Sequence, residues 1–101
     1  MVQPEKSLTE KKQIVIFASG SGTNAENIIK YFKSGSVGEV VGVFTNNANA
    51  KVIERAKNND VPVEVFTKVE LYESDLVQKI NVIQPDLIVL AGFLLKFPDA
   101  L

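Results

Sequence analysis

The 101-residue chain contains no cysteine and no histidine. Without cysteine it forms no disulfide, no thiolate nucleophile and no cysteine-ligated zinc site within itself. Without histidine it lacks the commonest general base and the commonest metal ligand, so imidazole-centred acid-base chemistry is excluded from these residues. Charge of one sign is not in excess either: eleven Lys and Arg stand against twelve Asp and Glu, a net charge of −1. With no basic stripe, nucleic acid and anionic membrane are poor partners. No apolar run approaches the roughly 18 residues of a spanning helix. The polar segment Met1–Lys12 has no apolar core of the kind a signal peptide needs. That segment, residues 1–12, is expected to be a disordered lead-in. Residues 13–101 are then the folded part, and the chain is expected to be cytoplasmic.

What is present is ordinary globular material: 46% of residues are hydrophobic and 23% charged, enough for one domain or part of one. Ile14–Ala18 is a near-continuous apolar run rich in β-branched residues, the pattern of a strand buried on both faces. Ala25, Ile28, Ile29 and Phe32 share one helical face, and Ser34-Gly35 supplies a stop. Val40–Thr45 reads as a second strand, turned off by Asn46-Asn47. Ala48, Val52, Ile53 and Ala56 repeat the helical spacing as far as Lys57–Asp60. Val61–Phe66 is a short third strand with Pro62 at its start. Val69, Tyr72, Leu76, Ile80 and Ile83 mark a third helix, ended by Pro85, and Asp86–Phe93 is a second strongly apolar strand.

Strand and helix alternate throughout, which points to right-handed βαβ units. The expected fold is α/β: a Rossmann-like, three-layer open parallel sheet in the order 3-2-1-4 with helices on both faces. In that order the apolar fourth strand lies at a bare edge, which native sheets avoid. The chain is therefore expected to be the N-terminal part of a larger domain, with a capping partner as the alternative.

The first strand runs into Gly20-Ser21-Gly22-Thr23-Asn24-Ala25, which opens into a helix. Unpaired N–H groups and the macrodipole at a helix start favour an anion, so the loop suits a phosphate. The spacing also fits the dinucleotide pattern G-x-G-x-x-A, but strand 2 ends Val43-Phe44-Thr45-Asn46-Asn47, without the carboxylate that holds ribose hydroxyls. An NADP version would have to recruit Lys51 or Arg55. A nucleoside-triphosphatase loop needs a lysine that this loop lacks. The rival to a phosphate loop is purely structural. Thr23-x-x-Glu26 has capping-box spacing, and the glycines serve a tight turn.

At the carboxyl end of strand 4 stands Leu90-Ala91-Gly92-Phe93-Leu94-Leu95-Lys96-Phe97, beside strand 1, where the strand order reverses and open α/β sheets bind ligands. Gly92 lets a flat ring approach the backbone. Leu94, Leu95 and Phe97 either wall an apolar pocket or cover exposed core. The scattered carboxylates Glu54, Asp60, Glu64, Glu70, Glu73 and Asp75 read as solvated faces, and Asp86 as a turn or cap residue.

The two motifs together, S-G-S-G-T-N-A-E-N-I after strand 1 and P-D-L-I-V-L-A-G-F at strand 4, resemble glycinamide ribonucleotide formyltransferase. The likeness runs from about Gln13 to Leu101, roughly the first half of that enzyme. It implies that residues 13–101 are the nucleotide-binding N-terminal part of a formyltransferase domain. It also implies folate-dependent transfer of a formyl group in purine synthesis. The donor is 10-formyltetrahydrofolate, a co-substrate used without metal, and the acceptor is the amine of glycinamide ribonucleotide. The family's phosphate loop falls on Gly22, Thr23 and Asn24, shaped by Ser21 and Gly20. Its folate-pocket edge falls on Leu94, Leu95, Lys96 and Phe97. Leu95 stands where the family often has a basic residue, and Lys68 is a loose candidate for another folate contact. The family's catalytic asparagine, histidine and aspartate lie beyond strand 4, so no catalytic residue is assigned and the chain alone is expected to be inactive. Methionyl-tRNA formyltransferases usually carry a different loop. A non-catalytic or NADP-type nucleotide-binding module is the alternative from another class.

Overall fold

The computed structural model describes residues 12–35, 37–72, 74–95 and 97, with only the backbone of Ser74. The expected lead-in, apart from Lys12, lies outside the described residues. Lys12 itself opens the first strand, with its N–H donating to Val37 O at 2.9 Å. The elements are β1 (Lys12–Phe17), α1 (Thr23–Lys33), β2 (Gly38–Thr45), α2 (Lys51–Asn58), β3 (Val63–Val65), α3 (Lys68–Tyr72), α4 (Ser74–Ile83) and β4 (Leu87–Leu90). The four strands form one parallel sheet in the order β3-β2-β1-β4, as the alternation predicts.

β1 is central because both of its faces are apolar. Ile14, Ile16 and Ala18 point into a layer with Ala25 and Ile29 of α1 and Val52 and Ala56 of α2. Val15 and Phe17 point the other way, into a layer with Phe44, Phe66, Leu71 of α3, and Leu76 and Ile80 of α4. Helices therefore cover both faces. The register of β2 on β1 slips between Ile14 and Val15, which pair with Val40 and Gly42. The bulge leaves Val41 unpaired and puts Val40 and Val43, three residues apart, into the same layer.

The third helix expected from the sequence is two helices. Val69 and Tyr72, assigned to the buried stripe, are 68% and 45% exposed, whereas Leu71 is fully buried. Leu71 and Leu76 are five positions apart, which in one continuous helix would leave them about 140° apart. Dividing the segment into α3 and α4 lets Leu71, Leu76 and Ile80 face the same layer. Thr67 and Glu70 hold the start of α3 reciprocally: the Glu70 N–H donates to Thr67 Oγ1 at 3.1 Å and the Thr67 N–H to Glu70 Oε1 at 2.8 Å. An ion pair between Lys79 and Glu64 ties α4 to β3.

β4 is shorter than the apolar run Asp86–Phe93, and Leu87 and Leu90 are exposed rather than buried. Among the described residues its hydrogen-bonded neighbour is β1 alone, with Ile14 opposite Leu87 and Phe17 opposite Leu90. Asp86 is tied to β1 from both sides, its N–H donating to Gln13 O and its Oδ2 accepting from the Gln13 N–H, each at 2.8 Å.

Phe17 is the hub of the second layer, with ring centroids of Phe44, Phe66, Phe93 and Phe97 between 5.0 and 5.8 Å away. Phe17→Ala should therefore cost about 3–5 kcal/mol of folding free energy, as a large cavity in a buried aromatic cluster does. A urea denaturation midpoint equal to that of the wild type would show that the cluster contributes little.

Candidate functional site

The loops that follow β1, β2 and β4 meet at the carboxyl end of the sheet. Helices α1 and α2 lie on one face and α3 and α4 on the other, so the reversal of strand order falls between β1 and β4. This is the crevice where open α/β sheets take their ligands.

Ser19, nearly buried, joins the three loops. Its N–H donates to Gly92 O at 3.3 Å and its hydroxyl donates to Asn46 Oδ1 at 2.7 Å. The same hydroxyl oxygen accepts the Leu94 N–H at 3.0 Å. The end of β1, the end of β2 and the segment after β4 are thus held in one register. In the sequence Ser19 enters only as the first residue of the glycine-loop motif and Asn46 only as a turn residue, neither with this joining role. A small polar residue between a buried strand and a glycine loop is the sole local sign, and its partners are 27 and 75 residues away.

The expected phosphate-loop residues come together around the start of α1. Gly22 is the N-cap, in the left-handed region at φ 78°, and no side chain caps the helix. The first backbone bond of the helix start runs from Glu26 N–H to Gly22 O at 2.8 Å. The N–H groups of Gly22, Thr23, Asn24 and Ala25 therefore have no acceptor within the helix. Gly20, Ser21, Thr23 and Asn24 are exposed around them. The Thr23 and Ser21 hydroxyl oxygens lie 3.3 Å apart.

The capping-box reading fails here. Thr23 is inside the helix, and the Glu26 carboxylate turns toward α2 instead of back to the cap. Its Oε1 accepts from Arg55 Nη1 at 2.6 Å and its Oε2 from Asn59 Nδ2 at 3.2 Å. Arg55 Nε also donates to Ser21 O at 2.7 Å. Arg55 is thereby engaged within the fold, which weakens the NADP reading that would have recruited it. Its hydrogen bond to Glu26 is the main reason that carboxyl is held below the usual carboxylate range. Partial burial acts against this, and Asn59 and Lys30 add to it.

Gly22 also lies against α2. A Cβ at this position would fall 2.5 Å from Val52 Cβ and 2.6 Å from Val52 Cα. The loop is therefore seated on α2 by a contact that only glycine allows, helped by Val52 N–H donating to Gly20 O at 3.4 Å.

The segment expected at the folate-pocket edge divides. Leu94 is 82% exposed at the crevice. Leu95 and Phe97 are half-buried against the layer of Val15 and Phe17, beside Phe93. Lys96 lies outside the described residues. Gly92 adopts φ 73° with open space where a Cβ would be, so its conformation calls for glycine and the backbone beside it is accessible. Lys68, at the start of α3, is exposed. Among the described residues no group of His, Cys, Asp and Glu is placed to hold a metal, and no helix is long and apolar enough to cross a membrane.

A parallel sheet with a 3-2-1-4 order, a glycine loop and uncapped helix donors at the switch point define an open α/β domain equipped to take an anionic group. Residues 12–101 match the formyl transferase family, and the chain belongs to it. A phosphoribosylglycinamide formyltransferase of Escherichia coli is 36% identical over 87 residues, 80% of this chain and 41% of that protein. A chloroplastic one of Glycine max is 38% identical over 87 residues, 83% of this chain and 30% of its own length. Among solved structures, glycinamide ribonucleotide transformylase 1 of Geobacillus kaustophilus superposes with a TM-score of 0.79 at 32% identity, over 89% of this chain and 51% of that one. The chain thus spans between about a third and a half of the length of these relatives.

Two outcomes follow from the loop. Gly22→Ala should destabilise the protein by at least about 1–2 kcal/mol, the cost of a side chain in the left-handed region, plus displacement of Val52. An unchanged denaturation midpoint would mean that the close seat on α2 does not form. The second concerns acid. Because folding lowers the Glu26 pKa, its stabilising contribution is present above the unfolded value of about 4.3 and is lost as pH falls through the folded value. The stability difference between wild type and Glu26→Gln should therefore be largest near neutral pH and shrink below about pH 4. A difference independent of pH would remove the ion pair as its source.

Proposed function

We propose that this chain provides the ribonucleotide-holding part of a folate-dependent formyltransferase. The activity is transfer of a formyl group from 10-formyltetrahydrofolate to the amine of glycinamide ribonucleotide, in purine synthesis. The observation that carries this reading is the uncapped start of α1 at the switch point, in a chain that belongs to the formyl transferase family. Four N–H donors, the Thr23 hydroxyl and the Asn24 amide surround a place where the phosphate of the ribonucleotide is neutralised by dipoles rather than by a cation. Gly20 and Ser21 shape the approach.

The folate lies on the other side of Ser19, along the backbone of Gly92 and the exposed Leu94. Leu95, Lys96 and Phe97 form the edge of its pocket, Leu95 and Phe97 from their seat on the core. Ser19 then sets the distance between the two ligands, because it bonds to the segments that follow β2 and β4 while continuing directly into the phosphate loop. With no histidine in the sequence, the chain holds and orients the reactants and contributes no imidazole to move the amine proton. No nucleic acid, membrane or metal enters this scheme, and its setting is the cytoplasm.

Titration with glycinamide ribonucleotide should slow hydrogen exchange at the Gly22, Thr23 and Asn24 amides, and NADPH should not. Formyl transfer by the 101-residue chain alone should be undetectable. Protection by NADPH but not by the ribonucleotide would favour the dinucleotide-binding alternative, and measurable transfer would overturn the division between holding and catalysis.

A further inference from the structure

We propose that Arg55 is a positioning residue that locks the Ser21–Gly22 peptide with its N–H turned into the anion cradle. The inference rests on the phosphate-loop reading above and adds to it a residue on α2, outside the loop.

The physical basis is the geometry of one peptide plane. In a trans peptide the C=O and the following N–H point in opposite directions, and the described residues contain no cis bond. Arg55 Nε holds Ser21 O at 2.7 Å from the α2 side. The Gly22 N–H is therefore turned away from the Arg55 guanidinium, which leaves it free to join the donors of Thr23 and Asn24 in the cradle. Rotating this plane the other way would place the Ser21 carbonyl oxygen among those donors, where its negative end would repel a phosphate. Such a flip is cheap next to glycine, which tolerates both signs of φ, so the loop needs an external restraint.

The restraint is itself held. Glu26 takes Arg55 Nη1 at 2.6 Å, and Asn59 Nδ2 bridges Glu26 Oε2 at 3.2 Å and Arg55 O at 2.8 Å. The guanidinium fork thus spans the Ser21 carbonyl and the first-turn carboxylate at once, a task its planar donors suit and a lysine ammonium does not. Since Glu26 already balances its charge, Arg55 acts here by direction more than by attraction.

The test uses the 101-residue chain and two probes, glycinamide ribonucleotide and the same compound without its phosphate. For wild type, the ribonucleotide should bind more tightly than the dephosphorylated compound. Arg55→Met should weaken ribonucleotide binding by about tenfold or more, the equivalent of one charge-assisted hydrogen bond. The dephosphorylated compound should bind unchanged. Arg55→Lys, which keeps the charge and the pairing with Glu26, should remain weak. The Gly22 amide 15N shift on phosphate binding should be lost in both variants.

Full rescue by Arg55→Lys would show that charge alone matters and overturn the positioning role. So would equal weakening of both probes, the sign of a general loss of structure. Should Arg55→Met fold poorly, Arg55→Lys and the Gly22 amide signal carry the test by themselves. If wild-type protein fails to distinguish the two probes, the phosphate-loop reading falls. That outcome is separate from a wild type that distinguishes them and an Arg55→Lys that behaves like it, which overturns only the role of Arg55.

Discussion

A helix start with no side-chain cap leaves backbone donors that must be met by water or by a ligand, and this constraint organises the carboxyl end of the sheet. The start of α1 is kept in that state by Gly22, whose left-handed backbone and missing side chain let the loop lie directly on Val52 of α2. A residue with a side chain would lift the loop away. The residue that might have capped the helix from within, Glu26, is drawn off by Arg55 and Asn59. The open donors are thus a product of packing between α1 and α2 and not a fault in the helix.

The rest of the fold supplies the platform. β1 is buried on both faces, and its two sets of alternate side chains anchor separate helical layers. Because the layers are attached to opposite faces of one strand, the loop that leaves β1 emerges at the boundary between them. Ser19 stands at that point and ties it to the segments after β2 and β4. A nearly buried hydroxyl that both donates and accepts is costly to leave unpaired, so the three segments are bound to a common geometry.

Much of this was legible from residue patterns. The apolar runs at Ile14–Ala18 and within Asp86–Phe93 and the 3.6-residue periodicity of α1 and α2 pointed to the element types, and alternation to the strand order, although the fourth strand is only Leu87–Leu90. The errors have physical causes. Val69 and Tyr72 have the right spacing for a long helix, but Leu71 is the residue that the core accepts, and burying it requires a break. Thr23 and Glu26 have the spacing of a capping box, but spacing does not reveal that an arginine 29 residues after Glu26 competes for the carboxylate. Phe93 and Leu95 turn onto the Phe17 cluster, while Leu94 between them faces outward, an alternation that depends on where β4 ends.

By itself the sequence determined the class of fold, the place of the glycine loop and the chemistry that is absent, because these follow from local periodicity and from residue types. Tertiary structure decided which donors stay free, which carboxylate is engaged and which apolar residues remain at the crevice. Those outcomes depend on competition between groups far apart in the chain, such as Glu26 with Arg55, Gly22 with Val52, and Ser19 with Leu94. No local pattern encodes the winner of such a competition, since it is set only when the helices close on the two faces of β1.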